Sequence, residues 1–210
     1  MKRRFLLSVP LLAGPLLAGG CSILPSRPFL ETRRYALSPQ RPASTARAGG
    51  PRGAILLRTL RSGPGMETRG LRRVTPEGTL DIAFYDEWLA PPADLVEAAM
   101  REWLIASGQF TAVTAPGSRL RTSLILEAEL IMLQAEPGQA RAGMTALLLA
   151  DGENLGEPRV LAQRRLEATA PLPAQATPVA QAAGIQAALA QLLAELESWL
   201  VSSVQENRRR

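Results

Sequence analysis

Histidine is absent from this chain, lysine occurs once, at Lys2, and cysteine once, at Cys21. These absences exclude whole classes of chemistry. Ser-His and Cys-His triads, Ser-Lys dyads, lysine Schiff bases and His or Cys metal sites all need a base, nucleophile or ligand that is missing once Lys2 is removed with an N-terminal signal and the Cys21 thiol is acylated, as read below. Carboxylate chemistry of the glycosidase kind survives the elimination. Aromatic residues make up only 4%, and the arginines are scattered with no aromatic-basic stripe, which argues against nucleic acid as a partner. With a single cysteine no disulfide can form within the chain, so packing alone must hold the fold.

What the N-terminus does have is a short basic flank, Lys2-Arg3-Arg4, and an apolar run from Phe5 to Ala18 broken by Pro10, Gly14 and Pro15. The run is shorter than the roughly 20 apolar residues of a membrane span and has the layout of a secretory signal. It ends in Leu17-Ala18-Gly19-Gly20-Cys21. Small residues before a lone cysteine suit a signal peptidase groove, and the Cys21 thiol is the atom that takes a diacylglyceryl group. Residues 1–20 therefore read as a lipoprotein signal peptide, with acyl chains such as palmitate expected on Cys21. An ordinary signal with a stray cysteine and an uncleaved anchor are the competing readings. Losing residues 1–20 takes away three cations and no acid, so the formal charge falls from +5 to +2.

Residues 21–31 carry Pro25 and Pro28 without periodicity and read as a tether. At roughly 3.3–3.6 Å per residue it reaches no more than about 35 Å, which keeps the domain near its membrane. The remainder, 32–204, has the length of a single domain with a sizeable core. Short strands are expected at Arg33 to Leu37 and Ala54 to Leu60, with Ser38 to Arg52 a polar loop between them. Gly70 to Thr75 and Thr79 to Tyr85 flank Pro76-Glu77-Gly78 as a hairpin. In its second strand the alternation of Leu80, Ile82 and Phe84 or Tyr85 with Asp81 and Ala83 predicts one buried face.

Helical spacing predicts a helix over Ala93 to Ser107, ended by Gly108, and a brief strand over Phe110 to Val113. Leu120 to Leu133, Arg141 to Ala150 and Pro158 to Ala168 read as a meander turning at Glu136-Pro137-Gly138 and Asp151 to Asn154. Thr177-Pro178 opens a second helix whose Ile185, Leu189, Leu192, Leu196 and Trp199 stripe runs to about Val204. Its stripe suits core, with a coiled-coil partner as the rival use. A polar, basic tail is expected over 205–210. The fold class is thus α+β: a mainly antiparallel sheet with two principal helices packed on one face.

Two carboxylates, Glu127 and Glu129, fall on one strand face about 7 Å apart at roughly 3.3–3.4 Å per residue. That spacing permits acid-base work, but a solvated sheet face accounts for it as well. Tyr85, Asp86, Glu87 and Trp88 lie between a strand and a Pro-Pro helix start. They are candidates for a partner surface, where Tyr and Trp are favoured anchors. The alternative packs Tyr85 and Trp88 under the helix, with Asp86 capping a turn.

Arg34-Tyr35-Ala36-Leu37, the run Leu80 to Pro92 (LDIAFYDEWLAPP), the helix after it and Phe110-Thr111-Ala112-Val113 resemble the ABC-type transport auxiliary lipoprotein family. Its members include the paraquat-inducible-protein C type, a partner of MCE-domain lipid transporters. Glu87 stands where members often carry Arg. The resemblance implies a non-enzymatic envelope protein with no cofactor or metal, which assists an ATP-driven transporter of phospholipid or similar apolar cargo by docking to its periplasmic component. It also implies possible homo-oligomers, since some relatives form rings. An envelope scaffold or secretion-pilot lipoprotein is the second reading, and a carboxylate-dependent hydrolase the third.

Ser22 follows the cysteine where Asp would retain such lipoproteins at the inner membrane, so the periplasmic face of the outer membrane is the expected address. Each buried methylene of an acyl chain contributes about 0.8 kcal/mol, so acylation should dominate localisation. Cys21→Ser is expected to give an unacylated precursor or a soluble form on membrane fractionation, with the wild type in outer-membrane fractions.

Overall fold

A computed structural model describes residues 29–42, 51–151 and 157–209. Along them run β1 (Arg33–Tyr35), β2 (Ala54–Leu57), β3 (Arg61–Ser62), β4 (Gly70–Val74), β5 (Leu80–Trp88), α1 (Pro92–Ser107), β6 (Ala112–Thr114), β7 (Leu124–Glu136), β8 (Gln139–Ala150), β9 (Arg159–Pro171) and α2 (Pro178–Arg209). The signal Leu17 to Cys21, the tether up to Pro28, most of the loop before β2, the turn at Gly152 to Asn154 and Arg210 lie outside the described residues. Glu31–Arg210 make one compact unit.

All the strands join one sheet built around β7. On one edge β7 pairs antiparallel with β8 over nearly its whole length, and β8 pairs likewise with β9. On its other edge β2, β3 and β4 follow one another along β7, each parallel to it. Beyond them β6 adds parallel to β2, β5 antiparallel to β4, and β1 parallel to β5. The sheet is therefore mixed, which corrects the mainly antiparallel expectation. The hairpins show in the sequence because Pro76-Glu77-Gly78 and Glu136-Pro137-Gly138 are local turn signals. Parallel neighbours are joined by long connections that leave no local mark.

A bulge between Leu130 and Met132 sets the faces of β7. Before it Leu126, Ala128 and Leu130 are buried, and after it Leu133 and Ala135 are, because one extra residue reverses which side chains point at the core. The buried positions of β7 and β8 are rich in alanine: Ala128, Ala135, Ala140, Ala142 and Ala146. Small side chains let α2 come close to the sheet. A Cβ added at Gly184 of α2 would overlap the Leu172 side chain and lie 3.4 Å from Ala140 Cβ.

α2 buries Ile185, Leu189, Leu192, Leu193, Leu196 and Trp199 against β7, β8 and β9. By length and apolarity it is the one helix among the described residues able to cross a membrane, yet half of its apolar stretch is buried against the rest of the chain. It is a core helix, as the stripe predicts. It also continues to Arg209, so Gln205 to Arg209 are helical where a tail was expected. Arg208 and Arg209 stand in its last turn, where cations offset the negative helix end.

α1 starts one residue before the expected Ala93, with Pro92 in the first turn, and ends at Gly108 in the left-handed conformation (φ 60°). It meets α2 through a polar contact that the sequence did not announce. Glu197 of α2 accepts hydrogen bonds from Arg41 (2.9 Å to each oxygen) and from Trp103 Nε1 (2.9 Å), while the Arg41 guanidinium lies 5.7 Å from the Trp103 ring. One carboxylate thus ties α2, α1 and the segment after β1 together.

Leu192 is fully buried, so Leu192→Ala is expected to cost about 2–5 kcal/mol and to lower the melting temperature of the soluble chain without changing its self-association. Glu136, at the β7–β8 turn, gives a pH signature. Burial opposes its charged form, but hydrogen bonds from Gln134 and Gln139 and the Arg141 guanidinium outweigh burial and hold its pKa below the ordinary 4.5. Its stabilisation is complete above pH 4.5 and is lost as the pH falls through the depressed value. Urea unfolding should show Glu136→Gln less stable than wild type at neutral pH, with the gap closing in acid.

Candidate partner-binding site

The candidate residues lie in β5, which has two different halves. The first half is one arm of a hairpin with β4. Thr75 N–H donates to the Thr79 carbonyl (2.8 Å), and Gly78 supplies the positive φ (82°) that closes the turn. Register runs Val74 to Leu80, Arg73 to Asp81 and Arg72 to Ile82, and then slips, so that Gly70 stands opposite Glu87. The extra residues of β5, Ala83 to Tyr85, bulge against Gly70. A Cβ there would overlap the Ala83 carbonyl oxygen and lie 2.7 Å from Ile82 Cγ2, so only glycine lets the bulge form.

The second half of β5 is fastened by β1, with Arg33 opposite Asp86, Arg34 opposite Glu87 and Tyr35 opposite Trp88. Asp86 takes the Arg33 guanidinium at 2.8 Å and the Tyr35 hydroxyl at 2.7 Å. Burial, and then the hydrogen bond to Asp86, push the Tyr35 pKa up, while the bond to Asp86 raises that of Arg33. Glu87 takes Arg34 at 2.9 Å and Arg69 at 3.1 Å. Trp88 donates its main-chain N–H to the Arg69 carbonyl and is 1% exposed.

These positions correct the expected surface of Tyr85, Asp86, Glu87 and Trp88. The four are in the strand rather than in a connection. Trp88 belongs to the core, and both carboxylates are spent on cations of the chain's own. Only Tyr85 (41% exposed) displays its side chain. Beside it, edge to face at 4.9 Å, is Phe84, which is 82% exposed. Leu80 and Ile82 are also exposed, which overturns the buried face expected for this strand. The hairpin extends past the part of β5 that β1 pairs, and the bulge turns Phe84 outward. Sequence reasoning missed this apolar stretch because alternating apolar residues look alike on a core strand and on an uncovered one. One signal was available: Phe84 and Tyr85 are consecutive, so they cannot both face the same core.

Opposite Ile82 in β4, Arg72 is buried and donates to the Gly65 carbonyl, and desolvation pulls its pKa down. Elsewhere Glu127 pairs with Arg58 (2.9 Å) and Glu129 with Arg61 (3.2 Å) on an outward sheet face. Each carboxylate has its own counter-ion, the arrangement of a solvated face. No group of three or more acidic, His or Cys side chains suited to a metal ion occurs among the described residues.

Comparison with known proteins places this geometry. The crystal structure of protein XCC0632 from Xanthomonas campestris, of family DUF330, is similar with a TM-score of 0.70 at 19% identity, over 85% of this chain and 100% of that one. The hypothetical protein CT253 from Chlamydia trachomatis is similar with a TM-score of 0.53 at 10% identity, over 72% of this chain and 97% of that one. Both share the fold. No curated protein matches the chain. A family model, that of the ABC-type transport auxiliary lipoprotein component, matches residues 35–197, from Tyr35 in β1 to Glu197 in α2. With every strand from β2 to β9 inside that span, the chain belongs to the ABC-type transport auxiliary lipoprotein family, whose members are membrane-anchored envelope proteins of ABC transport systems.

Proposed function

We propose that this protein is a non-enzymatic periplasmic accessory of an ABC/MCE-type transporter that moves phospholipid or similar apolar cargo between the two membranes. It is held on the outer membrane by acyl chains on Cys21, and it acts by docking to the transporter's periplasmic component. The observation that carries this reading is the exposed apolar stretch Leu80, Ile82, Phe84 and Tyr85 on β5 of an auxiliary-family fold. Large apolar side chains displayed together on a rigid strand favour a protein partner. Elimination supports the same reading: the chain has no histidine, Lys2 lies in the expected signal, and Glu127 and Glu129 are neutralised by arginines. A tether of roughly ten residues is too short to carry cargo across a periplasm, by about 35 Å of reach, so a transporter must extend to meet it.

The test compares three alanine variants for melting and for binding to the purified periplasmic domain of the transporter component. Phe84→Ala and Tyr85→Ala are expected to melt like wild type and to weaken binding, with a loss of roughly 2 kcal/mol for a central aromatic anchor, about thirtyfold. Trp88→Ala, which hollows the core, is expected to melt early, at a cost of about 3–5 kcal/mol. A wild type that binds no transporter component would refute the function.

A further inference from the structure

The main chain of β5 carries information that its side chains do not. Because Thr75 N–H donates to the Thr79 carbonyl, residue 79 aims its main-chain groups at β4. By alternation Asp81 does the same, while Leu80 and Ile82 aim theirs away from it. On that far side β1 pairs only with Asp86 to Trp88. Among the described residues no strand lies against Leu80 to Tyr85 there, so a stretch of sheet edge stands open directly in line with a ladder that already exists.

A second open edge shows how this fold treats such a hazard. β9 also has a strand neighbour on one side only, β8. It is long, and its exposed residues include Arg159, Arg164, Arg165 and Glu167. Charges placed along an edge keep other strands from adding to it. The open stretch of β5 lacks that protection. It carries one charged residue, Asp81, paired with Arg73 at 2.7 Å, where β9 carries four, and its large side chains are Leu80, Ile82, Phe84 and Tyr85. A charge-lined edge at β9 and an apolar, nearly uncharged one at β5 in the same sheet set the β5 edge apart as one meant to be joined.

From this the geometry points to strand addition: an extended segment of the transporter's periplasmic component pairs with the Leu80 to Tyr85 edge, continuing the β1 ladder and laying alternate apolar side chains over Leu80, Ile82 and Phe84. Main-chain hydrogen bonds from such a strand supply affinity, and the exposed side chains of β5 select an apolar rather than a charged segment. The inference rests on the docking function proposed above and specifies the partner's shape.

The experiment uses the mature chain with Cys21→Ser and the purified periplasmic domain of the transporter component as probe. Ile82→Lys places a charge on the edge, and Ile82→Pro removes one outward N–H while leaving the bonds to β4 in place. Both are expected to keep the wild-type melting temperature within a few degrees and to weaken binding on the order of tenfold or more. In the wild-type complex the Leu80 and Ile82 amides should gain protection from hydrogen exchange, a reading that does not depend on either variant folding. Wild-type binding by Ile82→Pro with no gain in protection, while Ile82→Lys fails, would show contact through side chains alone and overturn strand addition. A wild-type dimer that Ile82→Lys splits would make a second copy of this chain the occupant and overturn it too. Undiminished binding by both variants moves the contact elsewhere and leaves the transporter function standing, whereas a wild type that does not bind removes the function itself.

Discussion

Strand β7 must satisfy both of its edges at once, and the rest of the molecule is arranged around that requirement. A central strand buried in a sheet cannot leave main-chain donors and acceptors unpaired without a cost of about 1–3 kcal/mol each. β8 serves one edge through a tight turn. The other edge is too long for any single neighbour in this chain, so β2, β3 and β4 cover it in succession. Those three run parallel to β7, which makes the sheet mixed and sends the chain through long connections. The bulge at Leu130 then decides which side chains of β7 face α2, and alanines at the facing positions let that helix settle close.

The candidate site follows from where this arrangement stops. β4 meets β7 by a single pair, Arg73 with Ala135, and carries β5 outward from the sheet centre. β1 then clamps the last three residues of β5. Consecutive strand residues face opposite sides, so Arg33 with Asp86 and Arg34 with Glu87 form ion pairs on both faces of the same short ladder. Ion pairs of this partly exposed kind contribute about 0–1 kcal/mol each, so their effect is chiefly on position. They hold Trp88 in the core and leave the preceding hairpin arm uncovered, with Gly70 admitting the bulge that turns Phe84 outward.

Residues whose role depends on neighbours in sequence were legible without a structure. Gly108 after Ser107, Pro76-Glu77-Gly78, Glu136-Pro137-Gly138 and the Ile185 to Trp199 stripe all mark elements that formed close to where they were expected. Residues whose role depends on a distant neighbour were not. Glu197 reads as one more helix carboxylate until Arg41 and Trp103 arrive from elsewhere in the chain. Asp86 and Glu87 read as candidates for a partner surface, or Asp86 as a turn cap, until β1 brings Arg33 and Arg34 to them.

By itself the amino-acid composition determined that this chain has no histidine, no lysine beyond Lys2 and no thiol but Cys21. It follows that Ser-His and Cys-His chemistry is closed to it while carboxylate chemistry is not, because elimination of this kind needs no geometry. Periodicity likewise determined the helices and hairpins, whose signals lie within a few residues of one another. Only the tertiary structure decided which of two similar alternating stretches is core and which is displayed. In Leu126-Glu127-Ala128-Glu129-Leu130 the apolar face Leu126, Ala128 and Leu130 is buried, and in Leu80-Asp81-Ile82-Ala83-Phe84 the apolar face Leu80, Ile82 and Phe84 is exposed. The two differ in neighbours and not in pattern, and burial belongs to the neighbours.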